Sequence, residues 1–247
     1  HDIPVTILGN GSNVLVGDQG IEGLVLSFGK EASAITVEGN QIRAEAGALL
    51  SQVANAALEH GLGGLAFAAG IPGTIGGAVC MNAGAYGGEM KDVLKEVTVM
   101  TGDGEIRVIP ASELEMGYRT SIIKKAGYLV LGATISLKEG NLEEIKALTR
   151  ELSEKRTSKQ PLEFPSAGST FKRPEGYFAG KLIMDSGLRG YQIGGARVSD
   201  KHCGFVINAG DATAQDVVAL MDHVTEVVRE KYGVTLEPEV KFLGDFN

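Results

Sequence analysis

An α+β fold in two domains is predicted by three features of the chain. Short β runs are joined by glycine-bearing turns, helical stripes separate them, and the composition changes near residue 140. The first run, Val5-Thr6-Ile7-Leu8, reads as a buried strand with no turn or helix before it. Runs from Leu24 to Leu26, Ala34 to Val37 and Gln41 to Ala46 follow. The last two are joined by Gly39-Asn40, a hairpin signal because both residues tolerate positive φ. Leu49, Leu50, Val53, Ala54, Ala57 and Leu58 share one helical face, and Gly61 stops that helix. A second hairpin pairs Val97 to Met100 with Ile106 to Ile109 around Gly102-Asp103-Gly104, and Leu129 to Leu137 makes a further strand.

Beyond it, Asn141 to Arg156 is a charged helix. Asn141 can cap it, Glu144 stands at the capping-box position, and Leu142, Ile145, Leu148 and Leu152 form an inner stripe. A Pro- and Ser-rich turn region spans Gln160 to Pro174. A short helix ending near Ser186-Gly187, strands around Val198 and Phe205 to Asn208, and a long helix from Thr213 to Tyr232 complete a second α+β domain.

Glycine supplies 35 of the 247 residues but proline only 7, which excludes a flexible linker or a collagen repeat and assigns the glycines to backbone work inside a fold. Lys and Arg number 23 against 31 Asp and Glu, a net charge of −8, so no cationic surface for nucleic acid is expected. Cys80 and Cys203 form no CxxC pair, and His1, His60, His202 and His223 do not group with them, so neither a disulfide scaffold nor a metal site is expected. No apolar run has bilayer-spanning length and no leader pattern is visible; the expectation is a reduced cytoplasmic protein.

Four stretches could carry chemistry. Gly9-Asn10-Gly11-Ser12-Asn13 follows a strand and suits either a backbone cradle for a pyrophosphate or an ordinary turn between strands. A β-like Val14-Leu15-Val16 after it excludes a Rossmann turn. From Gly61 to Met90 ten of thirty residues are glycine, and Gly70-Ile71-Pro72-Gly73-Thr74-Ile75-Gly76-Gly77 with Asn82-Ala83-Gly84-Ala85-Tyr86-Gly87 favours main chain lying against a ligand over helix-to-sheet packing alone. Ser166 to Pro174 reads first as a polar turn, although its hydroxyls, Lys172 and Arg173 also suit an anionic substrate. Arg119, in Gly117-Tyr118-Arg119-Thr120-Ser121, and Glu239, in Leu236-Glu237-Pro238-Glu239-Val240, look like surface charges on pattern alone.

Taken together and in order, GNGSNVLV, GIPGTIGGAVCMNAGAYGGE, GYRTS, PSAGSTFKRP, GLRGYQIGGARVSDKHCGFVINAGDATAQDV and LEPEVKFLG resemble the UDP-N-acetylenolpyruvoylglucosamine reductases, also called UDP-N-acetylmuramate dehydrogenases. The likeness runs from about Ile3 to Gly244 and is to the shorter type, without a tyrosine-bearing loop over the substrate. It implies an FAD-binding fold of the vanillyl-alcohol-oxidase type over residues 1–140, a connecting helix over 141–158, a substrate domain over 159–232, and a segment 233–247 returning toward the FAD domain. It implies FAD as cofactor, NADPH as co-substrate, and reduction of UDP-N-acetylglucosamine enolpyruvate to UDP-N-acetylmuramate in peptidoglycan precursor synthesis.

Carried onto this chain, the resemblance makes Ser169 the proton donor to C2, with Arg119 and Glu239 stabilising the enol-like form on the substrate carboxylate. Gly9, Asn10, Gly11, Ser12, Asn13, Gly70, Ile71, Pro72, Gly73, Thr74, Gly76, Gly77, Asn82 and Gly84 become FAD-binding residues. Lys159, Lys172, Arg173 and Tyr86 become substrate-binding residues. A monomer with no membrane or nucleic-acid partner is expected. Family members carry a further N-terminal strand-helix unit that helps cradle FAD, so the opening at His1 reads as a truncation. Two alternatives stand beside this reading: another FAD oxidoreductase of the same fold, and a truncated chain that binds the UDP-sugar without activity.

Overall fold

The computed structural model describes residues 3–246, so His1 lies outside it. In chain order the elements begin with β1 (Val5–Leu8), β2 (Val14–Val16), β3 (Leu24–Ser27), β4 (Ile35–Glu38), β5 (Gln41–Glu45), α1 (Leu50–Glu59), β6 (Leu62–Gly63) and α2 (Ile75–Met81). Then come β7 (Gly84–Ala85), β8 (Gly88–Glu89), β9 (Leu94–Met100), β10 (Ile106–Pro110), α3 (Ile122–Lys125), β11 (Leu129–Ser136) and β12 (Lys138–Glu139). The C-terminal part holds α4 (Leu142–Lys159), α5 (Ala179–Asp185), β13 (Gln192–Ile193), β14 (Ala196–Val198), β15 (Val206–Asn208), α6 (Ala214–Tyr232) and β16 (Lys241–Leu243). They form two compact units: Val5–Asn10 with Val25–Arg156, and Gly11–Leu24 with Thr157–Asn247 together with the first residues of the chain.

The larger unit is built on a five-stranded sheet in the order β10-β9-β11-β5-β4. Both expected hairpins lie in it: β4 pairs antiparallel with β5 across Gly39-Asn40, and β10 with β9, Ile106 opposite Met100. Alternation along β9 sends Val97 and Val99 into the core, where Ile42, Ile135, Leu50, Val53, Ile75 and Val79 meet them fully buried. Truncating Ile42, Ile135, Leu50 or Ile75 to Ala would cost about 2–5 kcal/mol. Helix α1 keeps the expected face, burying Leu50, Val53, Ala54 and Ala57, and Gly61 follows it at φ +65°.

Two expectations fail here. β1 pairs with β3 alone, and Val5 and Ile7 are 54% and 44% exposed, so this run is a surface strand and not a buried one. In α4 no residue is buried; Leu142 and Leu148 face solvent and Ile145 lies over Gly63 and Gly140. Helical spacing marks a stripe but does not supply a neighbour to cover it. The Asn141 cap itself forms, its Oδ1 accepting from Glu143 N (2.9 Å) and Glu144 N (3.3 Å).

In the smaller unit α6 packs on the antiparallel sheet β13-β14-β15, with Leu220, Val224 and Val228 fully buried beside Ile183 of α5 and Val198 of β14. Thr213 and Asp216 cap α6 reciprocally, and Gly233 ends it at φ +67°. Asp18 adds a second cap, its carboxylate accepting from Ala214 N (2.7 Å) and Gln215 N (3.3 Å). β16 runs parallel to β2, Lys241 opposite Val14, so residues 11–24 pack with the C-terminal part of the chain.

Candidate active site

In the larger unit the two glycine-rich stretches meet. The side-chain amide of Asn10 donates to the Pro72 carbonyl at 2.7 Å, and Gly9 lies so close to Thr74 that an added Cβ would run into its Oγ1. Leu50 N donates to the Gly73 carbonyl (3.0 Å) and Ile75 N to that of Ala48 (2.8 Å), fixing the loop that carries Thr74. The N–H groups of Asn10, Gly73 and Thr74 donate to no acceptor among the described residues. Across Gly70 lies Arg156, whose Cδ is 2.6 Å from where a Cβ would stand. Burial lowers the pKa of this guanidinium, Tyr86 opposing the shift, and no carboxylate among the described residues pairs with it. Free backbone donors beside a half-buried, unpaired cation form a surface for phosphate oxygens, so these residues fit a diphosphate-bearing cofactor such as FAD.

Other glycines of this region serve packing. Gly76 sets α2 on the sheet, an added Cβ falling 3.2 Å from Ala46 Cβ, whereas Gly77 and Gly87 have room around them. Ile71 packs against the core. The expected ligand contact of residues 70–77 is therefore mixed with helix-to-sheet packing, and helix α2 itself is concealed in the sequence by its glycines. Cys80 is structural: burial pushes its thiol up to about 11, and its carbonyl accepts from Ser121 Oγ at 3.0 Å.

Arg119 occupies a four-residue turn closed by Gly117 N to Thr120 O (3.1 Å) and Thr120 N to Gly117 O (3.3 Å). Its φ is +55°, in a turn position that glycine usually fills, a strain of roughly 1 kcal/mol. The guanidinium lies 5.1 Å from the Tyr118 ring centroid and donates from Nη2 to the Gly84 carbonyl at 3.1 Å. Asn82 is buried completely, and its side-chain amide bonds to Glu89, Gly117 and Lys91 N. Gly84 packs its Cα on Gly88 and Glu89 in the β7–β8 hairpin, and Tyr86 stands exposed at the tip with φ +53°.

In the smaller unit Ser169 and Glu239 come together. The segment holding Ser169 is pinned on both sides: Thr170 N donates to Gly204 O (2.9 Å), Val206 N to Thr170 Oγ1 (2.8 Å), and Glu239 N to Thr170 O (2.9 Å). Thr170 is buried, as is Glu239, while Ser169 beside them is exposed. Asn13 backs Glu239, its Nδ2 donating to the Glu239 carbonyl (3.2 Å) and its own carbonyl accepting from Lys241 N (2.9 Å). Gly168, at φ +80°, would place a Cβ 3.7 Å from the Ser12 carbonyl. The turn Gly11 to Asn13 thus lies against the Ser169 segment, with Gly11 at φ +64° and open space around it.

The basic candidates differ in their engagement. Lys172 Nζ is 2.9 Å from the exposed carboxylate of Glu237, whose pKa it lowers, and Arg173 covers the Phe178 ring at 4.0 Å. Lys159 is exposed. Behind them His202 accepts from Gly204 N at Nδ1 (3.1 Å) and meets Phe205 edge-on; burial holds its pKa below the usual imidazole range, and Lys159 adds to the shift. Thr170, Asn13 as a support for Glu239, Glu89 and Arg156 carry no local sequence signal, because each acquires its role from a distant contact. Among the described residues there is no metal-ligating cluster and no helix long and apolar enough to cross a membrane.

A loop pair that fits a dinucleotide phosphate, joined in one chain to a second α+β unit with an exposed serine beside a buried glutamate, is the arrangement of a two-unit protein that binds a diphosphate-bearing cofactor. The FAD binding domain family matches residues 1–109, and the C-terminal domain of UDP-N-acetylenolpyruvoylglucosamine reductase matches residues 160–243. The chain is 57% identical to the UDP-N-acetylenolpyruvoylglucosamine reductases of Agathobacter rectalis and Exiguobacterium sibiricum, with 99% of this chain covered in each case and 82% and 80% of theirs. The crystal structure of UDP-N-acetylenolpyruvylglucosamine reductase from Thermus caldophilus superposes with a TM-score of 0.87 at 38% identity, over 98% of this chain and 86% of that one. The chain belongs to the UDP-N-acetylenolpyruvoylglucosamine reductase family.

Proposed function

We infer that Arg119, Ser169 and Glu239 do the chemistry of the family's reaction in this chain. That reaction is the NADPH-dependent reduction of UDP-N-acetylglucosamine enolpyruvate to UDP-N-acetylmuramate, in peptidoglycan precursor synthesis. FAD, which the loops at residues 9–10 and 70–74 would hold, would supply hydride chemistry between NADPH and the enolpyruvyl double bond, with C3 as the carbon that gains hydride. Negative charge then builds on C2 and the adjoining carboxylate. Arg119 meets that carboxylate with a two-toothed guanidinium, and Glu239 helps to hold the enol-like form. The Ser169 hydroxyl delivers its proton to C2. A serine is a weak acid, so its proton moves only because the enolate carbon is strongly basic.

The observation that carries this reading is the pinning of Ser169: it is exposed next to a Thr170 whose N–H, carbonyl and hydroxyl are all engaged, one engagement being with Glu239 itself. Lys159, Lys172, Arg173 and Tyr86 are proposed to bind the UDP moiety, with Lys172 exchanging Glu237 for a phosphate. Gly9, Asn10 and residues 70–74 form the cradle for FAD, the N–H groups of Asn10, Gly73 and Thr74 meeting its diphosphate, and Arg156 joins them. The proposal extends to a cytoplasmic monomer with neither a membrane nor a nucleic-acid partner, the net charge of −8 speaking against the last of these.

The purified protein, reconstituted with FAD, should show flavin absorbance that NADPH bleaches anaerobically and that the enolpyruvyl substrate restores. A protein that cannot be reconstituted favours the chain that binds UDP-sugar without activity. Bleaching by NADPH with recovery only by some other acceptor favours a different substrate.

A further inference from the structure

Asn82 makes three side-chain hydrogen bonds inside the larger unit, and the proposed chemistry of Arg119, Ser169 and Glu239 gives it no task. It ends helix α2 in the left-handed conformation, φ +41°, with no exposed surface. Its Nδ2 donates to Glu89 Oε2 at 2.7 Å and to the Gly117 carbonyl at 3.0 Å, and its Oδ1 accepts from Lys91 N at 2.9 Å. Two of these bonds converge on Arg119. Gly117 is the first residue of the turn that carries Arg119, closed on Thr120 by two backbone bonds. Glu89 lies opposite Gly84 in the β7–β8 pair, and the Gly84 carbonyl is where the Arg119 guanidinium rests, at 3.1 Å. One amide therefore fastens both the backbone that bears the arginine and the strand that receives its side chain. Ser121 Oγ, bonded to the Cys80 carbonyl at 3.0 Å, ties the far side of the same turn to the end of α2.

We propose that Asn82 is the positioning residue of Arg119: its buried amide, shared among Glu89, Gly117 and Lys91, sets the direction in which the guanidinium meets the substrate carboxylate. The chemistry requires an amide. Both acceptors on the Nδ2 side, a carboxylate oxygen and a carbonyl oxygen, demand a donor, while Lys91 N demands an acceptor. Aspartate has the same shape but presents oxygen to oxygen. Lys91 Nζ, 2.5 Å from Glu89 Oε1, occupies the other side of that carboxylate and leaves Oε2 to the amide. The proposal rests on the assignment of Arg119 to the substrate carboxylate and is tested so that the two can fail separately.

The test uses FAD-loaded enzyme and follows the two half-reactions separately by stopped flow, with a thermal melt of each variant. Asn82→Asp should leave reduction by NADPH close to wild type and slow reoxidation by the enolpyruvyl substrate about 100-fold near neutral pH. Because two carboxylates sharing one site raise a pKa, the substrate step of N82D should quicken as pH falls from about 8 to about 6, when a shared proton restores a donor. In an Arg119→Ala background, Asn82→Asp should cost nothing further. Independent, multiplying losses overturn the proposal, as does a wild-type substrate step in N82D. If Arg119→Ala itself leaves that step unchanged, the assignment of Arg119 fails first. Should N82D not fold, Glu89→Ala removes the acceptor from the same amide and must show the same selective, Arg119-dependent loss; an unaltered substrate step in Glu89→Ala overturns the proposal.

Discussion

The N–H of Glu239 donates to the carbonyl of Thr170 across 2.9 Å, joining the C-terminal strand region to the segment that presents Ser169. Through that bond the serine and the glutamate share one rigid frame, reinforced by Lys172 N on the Glu237 carbonyl at 2.8 Å. Changes to the exposed Ser169 side chain can therefore be read as chemistry, because the backbone bonds of Thr170 hold the segment in place without it.

Ser169→Ala removes the proposed proton and little else, since the hydroxyl is exposed and Thr170 supplies the structural bonds. Flavin reduction by NADPH should stay near wild type while reoxidation by the enolpyruvyl substrate falls by about 10²- to 10⁴-fold. Equal losses in both half-reactions would remove Ser169 from the role of proton donor.

Arg119→Lys keeps the charge but loses the fork and the bond to the Gly84 carbonyl. A fall of about 10²- to 10³-fold in the substrate step is expected from losing a donor where charge develops. Turnover near wild type would take Arg119 out of the site.

Gly9→Ala drives a methyl group into Thr74 Oγ1. The loop pair must part, at a cost of about 1–3 kcal/mol, so FAD should bind more weakly and melting should come earlier. Adding Thr74→Ala should recover much of the FAD affinity, as the remaining Thr74 atoms stand 3.5 Å away. An FAD titration showing equal affinity in Gly9→Ala and wild type would refute the cradle.

His202 makes the smaller unit sensitive to acid. Its folded pKa lies below that of the unfolded chain because burial disfavours the charged ring, and a protonated Nδ1 cannot accept from Gly204 N. For a histidine with a lowered folded pKa, the stabilisation is complete above about 6.5 and drains away as pH falls through the unfolded and then the folded value. Melting temperature should drop below about pH 6.5 in wild type and drop less in His202→Gln. Since Gly204 O also holds Thr170 N, acid should loosen the Ser169 segment in step. Parallel pH–melting curves for both proteins would clear His202 of this role.

What could be read from the chain beforehand was whatever a local rule enforces. Gly39-Asn40 and Gly102-Asp103-Gly104 made their hairpins, Asn141 capped α4 as its pattern indicated, and α6 spans the stretch read as the long helix. Tertiary context decided the rest. Val5 to Leu8 has the apolar run of a buried strand, yet among the described residues only β3 pairs with it; in the α4 stripe Leu142 and Leu148 are left facing solvent. In the site, the glycines were visible but their partners were not. That Gly9 abuts Thr74, that Asn13 supports Glu239, and that Asn82 is sealed inside are contacts across long loops, with no periodic signature in the residues between. Ser169, Arg119 and Glu239 were discernible only through six motifs in register, since serine, arginine and glutamate have no distinctive spacing of their own.

The thin β1–β3 pair has a practical side. Val5, Ile7, Val25 and Leu26 all present hydrocarbon to water from strands with few neighbours. Such a surface is a sticky seam between molecules once the solution becomes crowded. Flavin titrations in dilute and concentrated samples would then interrogate different species, and light scattering across the working concentration range belongs beside every binding curve.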